Sequence, residues 1–116
     1  MTAAYSGHPS TLKGNAVDFE FANRKLERLY TEEFGAKKYS SHVVDAFFEV
    51  VAAIDHARDE RDLRALKHLH FERLKGKRKH QRSLKLHGGF RLIVQLREDD
   101  DGSYIFVEAI EDYHKG

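Results

Sequence analysis

Cysteine is absent from all 116 residues of this chain. The absence excludes disulfide bonds, metal sites built on thiolates and catalytic thiol nucleophiles, and it fits a reducing compartment. The sequence also has no run of about 20 apolar residues, which a membrane-spanning helix requires, and its N-terminus lacks the basic and apolar segments of a secretory signal. We therefore expect a cytoplasmic protein.

Short motifs that would identify a common enzyme class are also missing. There is no glycine-rich phosphate loop, no Gly-x-Ser-x-Gly elbow, no His-Glu-x-x-His pair, no internal repeat and no low-complexity tract. His68 and His70 could face one metal ion, joined by His80 or His87, but no carboxylate or thiolate completes a known spacing. We predict neither a metal nor a cofactor.

The composition is that of a globular domain with a heavily charged surface. Hydrophobic residues make up 41% of the chain and charged residues 34%, and a chain of this length can build one core without covalent staples. Residues 1–16 are small, polar and aperiodic, so we interpret them as a flexible arm. Residues 17–116 are predicted to form one domain.

Positive charge is concentrated in one segment, although the formal net charge is only +1. From Lys67 to Arg91 there are nine lysines and arginines against one acid, Glu72, a local net charge of +8, and the rest of the chain carries −7. This asymmetry predicts a positive face that binds a polyanion such as a nucleic acid, or an acidic partner. A solvated basic loop without a ligand is the alternative.

The N-terminal part has the pattern of a strand followed by a helix. Residues 17–21 alternate apolar and polar side chains, as a half-buried strand does. A helix is predicted from Asn23, a favoured N-cap residue, to Gly35, with an apolar stripe that extends to Phe34.

A second helix is predicted to start at Ser40 or Ser41. Six apolar residues at helical spacing follow, and they form a broad stripe that must be buried. Two helices joined by a short turn make an antiparallel helical hairpin. Asp59 is predicted to begin one more short turn of helix.

After Leu66 the hydrophobic pattern changes to a period of two. Strands are predicted at His70–Leu74, Arg82–Leu86, Phe90–Arg97 and Tyr104–Ile110. The sequence therefore predicts an α+β domain with an N-terminal strand, an antiparallel helical hairpin and then an antiparallel three- to four-stranded meander, the helices covering one face of the sheet.

The last predicted strand ends in three ionisable residues, Asp112, Tyr113 and His114. A carboxylate, a phenol and an imidazole beside a positive field can bind a polyanion and move protons on it. Alternation predicts Asp112 and His114 on one face and Tyr113 on the other, unless the strand bends or ends there.

Four pieces of sequence, in order, resemble the HigB branch of the RelE/ParE superfamily of type II toxins. They are Leu74-Lys75-Gly76 with the basic residues after it, Ser83, Phe90-Arg91-Leu92 and Glu111-Asp112-Tyr113-His114. The resemblance covers roughly residues 18–114 and implies the RelE/ParE toxin-like fold. It implies a ribosome-dependent mRNA endonuclease that needs no metal and is neutralised by a helix-turn-helix antitoxin of the HigA type. The implied partners are therefore this antitoxin, the 70S ribosome and mRNA.

The resemblance also implies roles at the C-terminal end. RNA is cleaved by attack of a ribose 2′-hydroxyl on the adjacent phosphate, which requires proton transfer and stabilisation of the phosphorane. His114 is the first candidate for proton transfer, because imidazole exchanges a proton near neutral pH. Asp112 could orient His114, accept the proton or form a structural ion pair. Tyr113 could stack on a base, donate to phosphate or belong to the core.

Lys75 and Arg91 match basic positions that the family has on two central strands. Arg91 is expected to project away from the helices and to stabilise phosphate charge with its planar fork, unless it pairs with Glu108 or Glu111. Six other residues of the basic segment are expected to bind RNA phosphates: Arg73, Lys77, Arg78, Lys79, His80 and Arg82.

The sequence departs from the family pattern at Glu72, where many HigB-like toxins carry a histidine. Either Glu72 takes the role of a base, His70 or His80 substitutes, or that function is absent.

Two other functions of the protein stay open. One is a non-catalytic inhibitor of DNA gyrase like the ParE branch, against which the Asp-Tyr-His ending argues. The other is a degenerate toxin that only binds its antitoxin.

Overall fold

The computed structural model describes residues 18–113. The predictions for the arm at residues 1–16 and for His114 lie outside the described residues. The helices are α1 (Arg24–Glu32), α2 (Ser41–His56) and α3 (Glu60–Ala65), and 3-10 turns occupy Ala36–Lys38, Lys67–Leu69 and Gly76–Arg78. The strands are β1 (Asp18–Phe21), β2 (Glu72–Arg73), β3 (Gln81–Lys85), β4 (Phe90–Asp99) and β5 (Gly102–Asp112).

The five strands form one sheet in the order β1-β5-β4-β3-β2. Strands β2 to β5 are an antiparallel meander, so the predicted α+β architecture is confirmed. Strand β1 pairs with β5 in parallel, with Phe19 opposite Ile105. The sequence did not predict this pairing, because the path of the helices between β1 and β2 decides to which edge the first strand returns.

Local capping sets the start of each helix. The side chain of Asn23 accepts a hydrogen bond from the Leu26 N–H, that of Ser40 from the Val43 N–H and that of Asp59 from the Arg61 N–H. Each oxygen satisfies a backbone donor that has no partner inside the helix. The three predicted helix starts are therefore confirmed.

The predicted end of the first helix at Gly35 is wrong. α1 stops at Glu32, and Glu33 adopts a left-handed conformation with φ of 56°. The Phe34 N–H then bonds to the Arg28 carbonyl, which closes a Schellman-type turn before the glycine is reached. Phe34 is 56% exposed and lies 3.9 Å from the Arg28 guanidinium, so it does not belong to the buried stripe.

The helices pack on one face of the sheet. Tyr30 of α1 lies against Phe47 of α2, with ring centroids 6.2 Å apart, as expected for the helical hairpin. One core contains residues of both helices together with Leu84, Leu92 and other alternate positions of the strands. We call the opposite face of the sheet, which carries Ser83 and Arg91, the outer face. Within residues 18–113, none of the helices has the length and apolar character needed to cross a membrane.

The strand predicted at His70–Leu74 is reduced to Glu72–Arg73. His70 has φ of 47°, a left-handed conformation, and ends the 3-10 turn before it. In contrast, β4 and β5 are longer than predicted, because they pair from Phe90–Asp112 to Asp99–Gly102. Backbone hydrogen bonding to a partner strand extends these elements through charged residues that hydrophobic alternation does not recognise.

Candidate functional site

Arg91 is held on the outer face by neutral oxygens. Its Nε donates to Ser83 Oγ at 3.0 Å and its Nη2 donates to the His70 carbonyl at 2.7 Å. The Arg91 side chain is 15% exposed, and Ser83 is buried. Since its hydrogen-bond acceptors carry no charge, the guanidinium is fixed in place while its positive charge is retained. The left-handed turn at His70 is what aims that carbonyl at Arg91.

Glu72 is the carboxylate beside Arg91. Its Oε1 lies 4.0 Å from Arg91 Nη2, and its side chain is 63% exposed. Glu72 stands opposite Ser83 in the register of β2 and β3, so it shares the outer face with Arg91. An exposed carboxylate next to a fixed guanidinium can take a proton from a group that the guanidinium binds.

The three predicted residues at the end of β5 do not all converge on Arg91. The Tyr113 ring lies 5.9 Å from the Arg91 guanidinium carbon and is 40% exposed, and its N–H bonds to the Gly89 carbonyl. Asp112 stands opposite Phe90, which packs against the core under the helices. Asp112 and Tyr113 therefore lie on opposite faces, as alternation predicts.

A hydrogen-bonded ladder crosses the outer face beside this cluster, and sequence reasoning missed it. The Gln81 side-chain amide donates to both Glu108 oxygens at 3.1 Å, and Gln95 donates to Glu108 at 2.8 Å. At one end Arg97 donates to Gln95, and at the other Arg78 donates to Gln81. Alternation identifies the outward-facing glutamines, but their common partner depends on a bulge. Ile93 pairs with Ala109 and Val94 with Val107, which leaves Glu108 as the extra residue.

Arg78 and Glu111 form a two-pronged ion pair. Nη1 and Nη2 of Arg78 donate to the two Glu111 oxygens at 3.2 and 2.6 Å. These hydrogen bonds raise the pKa of the Arg78 guanidinium above its ordinary value. The carboxylates that were possible partners of Arg91 are therefore bonded elsewhere, Glu111 to Arg78 and Glu108 to the two glutamines.

The pKa of Glu108 is lowered although the group is partly buried. Burial alone raises this pKa, but the hydrogen bonds from Gln95 and Gln81, with the charges of His80 and Arg97, outweigh it. A carboxylate with a lowered pKa stabilises the fold above its unfolded pKa, and this stabilisation is lost as pH falls through the folded value.

We expect Glu108→Gln to lower the free energy of unfolding by about 1 kcal/mol at pH 7, because charged hydrogen bonds become neutral ones. The difference from the unmodified protein should shrink as pH falls through the lowered pKa of Glu108, because the carboxylate is then protonated in both states of the protein. Urea unfolding of both proteins between pH 7 and pH 3 measures this. Glu98→Gln, which changes an exposed carboxylate on β4, serves as the control. A constant difference across the pH range would contradict the prediction.

The basic segment is divided between exposed and engaged side chains. Lys75, Lys77 and Lys79 are exposed around the 3-10 turn Gly76–Arg78. The expectation that Lys75 lies on a central strand is wrong, because it follows the two-residue β2 and precedes this turn. The Arg73 guanidinium donates to the Lys79 carbonyl at 3.2 Å.

Arg82 lies on the other side of the sheet. It stands opposite Val94 of the core face, its side chain is 15% exposed, and its Nε is 4.0 Å from Glu60 of α3. It also donates to the Lys79 carbonyl at 3.3 Å. Alternation within β3 decides this placement, so Arg82 does not share the outer face with Arg91 and Glu72. His80 is exposed next to β3.

The histidines considered as metal ligands are not arranged on a strand. His68 lies in the 3-10 turn Lys67–Leu69, and His87 stacks on His42 of α2 with ring centroids 4.8 Å apart. Among residues 18–113, no three histidine or carboxylate side chains are grouped so that they could hold a metal ion.

The fold and the cluster around Arg91 together define a small α+β protein with a charged site on the open face of its sheet. A family model described as the RelE-like toxin of the type II toxin-antitoxin system HigB matches residues 19–114, more than four fifths of the chain. The chain belongs to this family of HigB-like toxins. Membership of a type II toxin-antitoxin family implies an antitoxin as the partner of this chain. A comparison with curated proteins found no match.

Proposed function

We propose that this toxin is an mRNA endonuclease that acts on the ribosome and inhibits translation by metal-independent cleavage of RNA. The observation that carries the proposal is the fixed Arg91 guanidinium with Glu72 and Tyr113 beside it on an open sheet face. The proposed partners are mRNA and the 70S ribosome, besides an antitoxin of the helix-turn-helix, HigA-like type, and the proposed location is the cytoplasm.

The proposed reaction needs three contributions. A base removes the proton of the ribose 2′-hydroxyl, whose oxygen then bonds to the adjacent phosphorus. A cation stabilises the charge that develops on the phosphorane, and an acid gives a proton to the 5′-oxygen that leaves. The products are a 2′,3′-cyclic phosphate and a free 5′-hydroxyl.

Arg91 supplies the cation in this proposal. Its hydrogen bonds engage Nε and Nη2, and Nη1 makes none with any residue in the described part of the chain. We therefore assign Nη1 as the donor to a non-bridging phosphate oxygen. A donor that is already oriented stabilises transition-state charge more effectively than a mobile one.

Glu72 is our proposed base, and His114 is our proposed acid. Glu72 lies 4.0 Å from Arg91 on the same face, so a phosphate bound to Arg91 brings the neighbouring 2′-hydroxyl near this carboxylate. Tyr113, on the other side of Arg91, offers a ring on which a base can stack. Asp112 is the last residue of β5 and lies on the helix side, opposite Phe90, so we propose that it does not touch RNA.

The exposed lysines Lys75, Lys77 and Lys79 are proposed to bind RNA phosphates, with Arg73 and His80 at the edge of the same surface. On the ribosome they would contact ribosomal RNA as well as mRNA. Such contacts contribute affinity that falls as salt rises, without selecting a base sequence.

Primer extension on mRNA after toxin induction tests the proposal. We expect new 5′ ends at codon boundaries, and we expect them to disappear when the start codon of the reporter is mutated, because cleavage requires translation. The same reporter lacking only its start codon is the matched control.

Two other results would contradict an endonuclease. Intact mRNA together with DNA damage would indicate inhibition of DNA gyrase, as in the ParE branch. Intact mRNA, normal growth and retained antitoxin binding would indicate a degenerate toxin.

A further inference from the structure

Arg78 and Glu111 connect two parts of the site that are far apart in sequence. Arg78 belongs to the 3-10 turn Gly76–Arg78, and Glu111 belongs to β5, immediately before Asp112. The two-pronged contact at 3.2 and 2.6 Å is formed by partly exposed side chains, 42% for Arg78 and 35% for Glu111. A guanidinium that donates to both oxygens of a carboxylate fixes the relative orientation of the two groups as well as the distance between them.

Gln81 makes a further contact with the Arg78 guanidinium, at a different nitrogen. Its side-chain oxygen accepts a hydrogen bond from Arg78 Nε. Gln81 is only 7% exposed, and its amide nitrogen is already committed to both oxygens of Glu108. The side-chain oxygen of Gln81 therefore cannot turn away from Arg78 without breaking the partly buried hydrogen bonds to Glu108. Three of the five N–H donors of Arg78 are used in these contacts.

The turn that Arg78 anchors carries the exposed lysines. Lys75, Lys77 and Lys79 lie within five residues, and their like charges repel one another. Its own backbone contributes two hydrogen bonds of 3.2 Å, from the Arg78 N–H to the Lys75 carbonyl and from the Lys79 N–H to the Gly76 carbonyl. Side-chain contacts from Arg78 and Arg73 hold this short turn against the sheet.

We propose that Glu111 is a positioning residue. Its ion pair with Arg78 holds the turn that carries Lys75, Lys77 and Lys79 beside the end of β5, and Arg78 is therefore not a ligand for RNA. The inference rests on the proposed endonuclease function. Arg78 and Lys77 look equivalent in the sequence, but Arg78 has its charge compensated by Glu111. A phosphate approaching Arg78 meets that carboxylate, whereas one approaching Lys77 meets an exposed ammonium group.

Glu111→Gln tests whether the ion pair with Arg78 holds the turn in place, with Glu32→Gln as the matched control. Both changes remove one carboxylate from an ion pair with an arginine and alter net charge equally, but Glu32 pairs with Arg28 on α1, away from the turn. We expect Glu111→Gln to lower kcat for RNA cleavage about tenfold or more, since misplacement by about 1 Å can cost about 10²-fold. Binding of a non-cleavable 2′-deoxy RNA analogue should change by less than about twofold, because no phosphate ligand is lost.

Amide hydrogen exchange in the isolated toxin gives a second measurement that does not depend on cleavage. Glu111→Gln should speed exchange at the Arg78 and Lys79 amides by about tenfold, which corresponds to a loss of about 1.4 kcal/mol of local stability. Glu32→Gln should leave both amides unchanged. Unchanged exchange in Glu111→Gln would show that the Arg78–Glu111 ion pair does not hold the turn. Faster exchange with unchanged kcat would show that Glu111 has no positioning role in cleavage. If the unmodified toxin cleaves no RNA, the proposed function fails, and hydrogen exchange still decides whether Glu111 holds the turn.

Discussion

Replacement of Arg91 by glutamine is expected to lower the rate constant of RNA cleavage by about 10²–10³-fold, the usual cost of one oriented donor to transition-state charge. Glutamine can still donate to Ser83 Oγ, so the buried hydroxyl keeps a partner, but it brings no charge to the phosphate. Single-turnover cleavage of mRNA in programmed ribosomes measures the effect on chemistry, and Tm reports whether the fold is retained.

Arg97→Gln is the matched control for Arg91→Gln. Arg97 is another arginine of β4, held by Gln95 and by the Phe106 ring at 3.7 Å, six positions further along the strand. We expect it to cleave at nearly the normal rate. Equal losses in both variants would mean that the outer face acts through its total charge, and a normal rate in Arg91→Gln would remove Arg91 from the chemistry.

His114→Ala is expected to reduce cleavage by about 10²–10⁴-fold, the usual contribution of a general acid or base. If His114 protonates the leaving oxygen, the rate of the unmodified toxin should fall as pH rises through the pKa of this imidazole. That limb of the pH profile should be missing in His114→Ala. The measurement is the single-turnover rate between pH 5 and 9.

Two further variants make the His114 result specific. His56→Ala changes an exposed histidine of α2, whose Nδ1 contacts the Ala52 carbonyl, and should leave the profile unchanged. Glu72→Gln should also lower the cleavage rate, if Glu72 is the base. Unchanged cleavage and growth arrest in His114→Ala would show that our assignment of the acid is wrong.

Local chemistry made the helices and most of the sheet predictable. Asn23, Ser40 and Asp59 start helices because a short polar side chain next to an apolar stripe caps the backbone without help from the rest of the fold. Alternation likewise identified the strands β3 to β5. It did not identify the left-handed turn at His70, because a carbonyl aimed at Arg91 is a contact across 21 positions of the chain.

The candidate site was predictable in its members more than in its geometry. The resemblance indicated Arg91 and the Asp112-Tyr113-His114 ending. Only the register of β4 and β5 determined that Tyr113 reaches Arg91 while Asp112 lies on the other face. The actual partners of Glu108, Gln81 and Gln95, could not be predicted, because these contacts depend on the bulge opposite Ile93 and Val94.

By itself, the sequence determined the family, the order of the elements and the concentration of positive charge between Lys67 and Arg91. Those properties depend on residue type and spacing along the chain. The tertiary structure alone decided which of these cations are compensated. Arg78 forms an ion pair with Glu111, and Arg82 lies on the helix side of the sheet near Glu60. Lys75 and Lys77 are exposed to solvent. The physical reason is that an ion pair requires two side chains to meet at about 4 Å or less, and such a distance across 33 positions is set by strand pairing and not by sequence proximity.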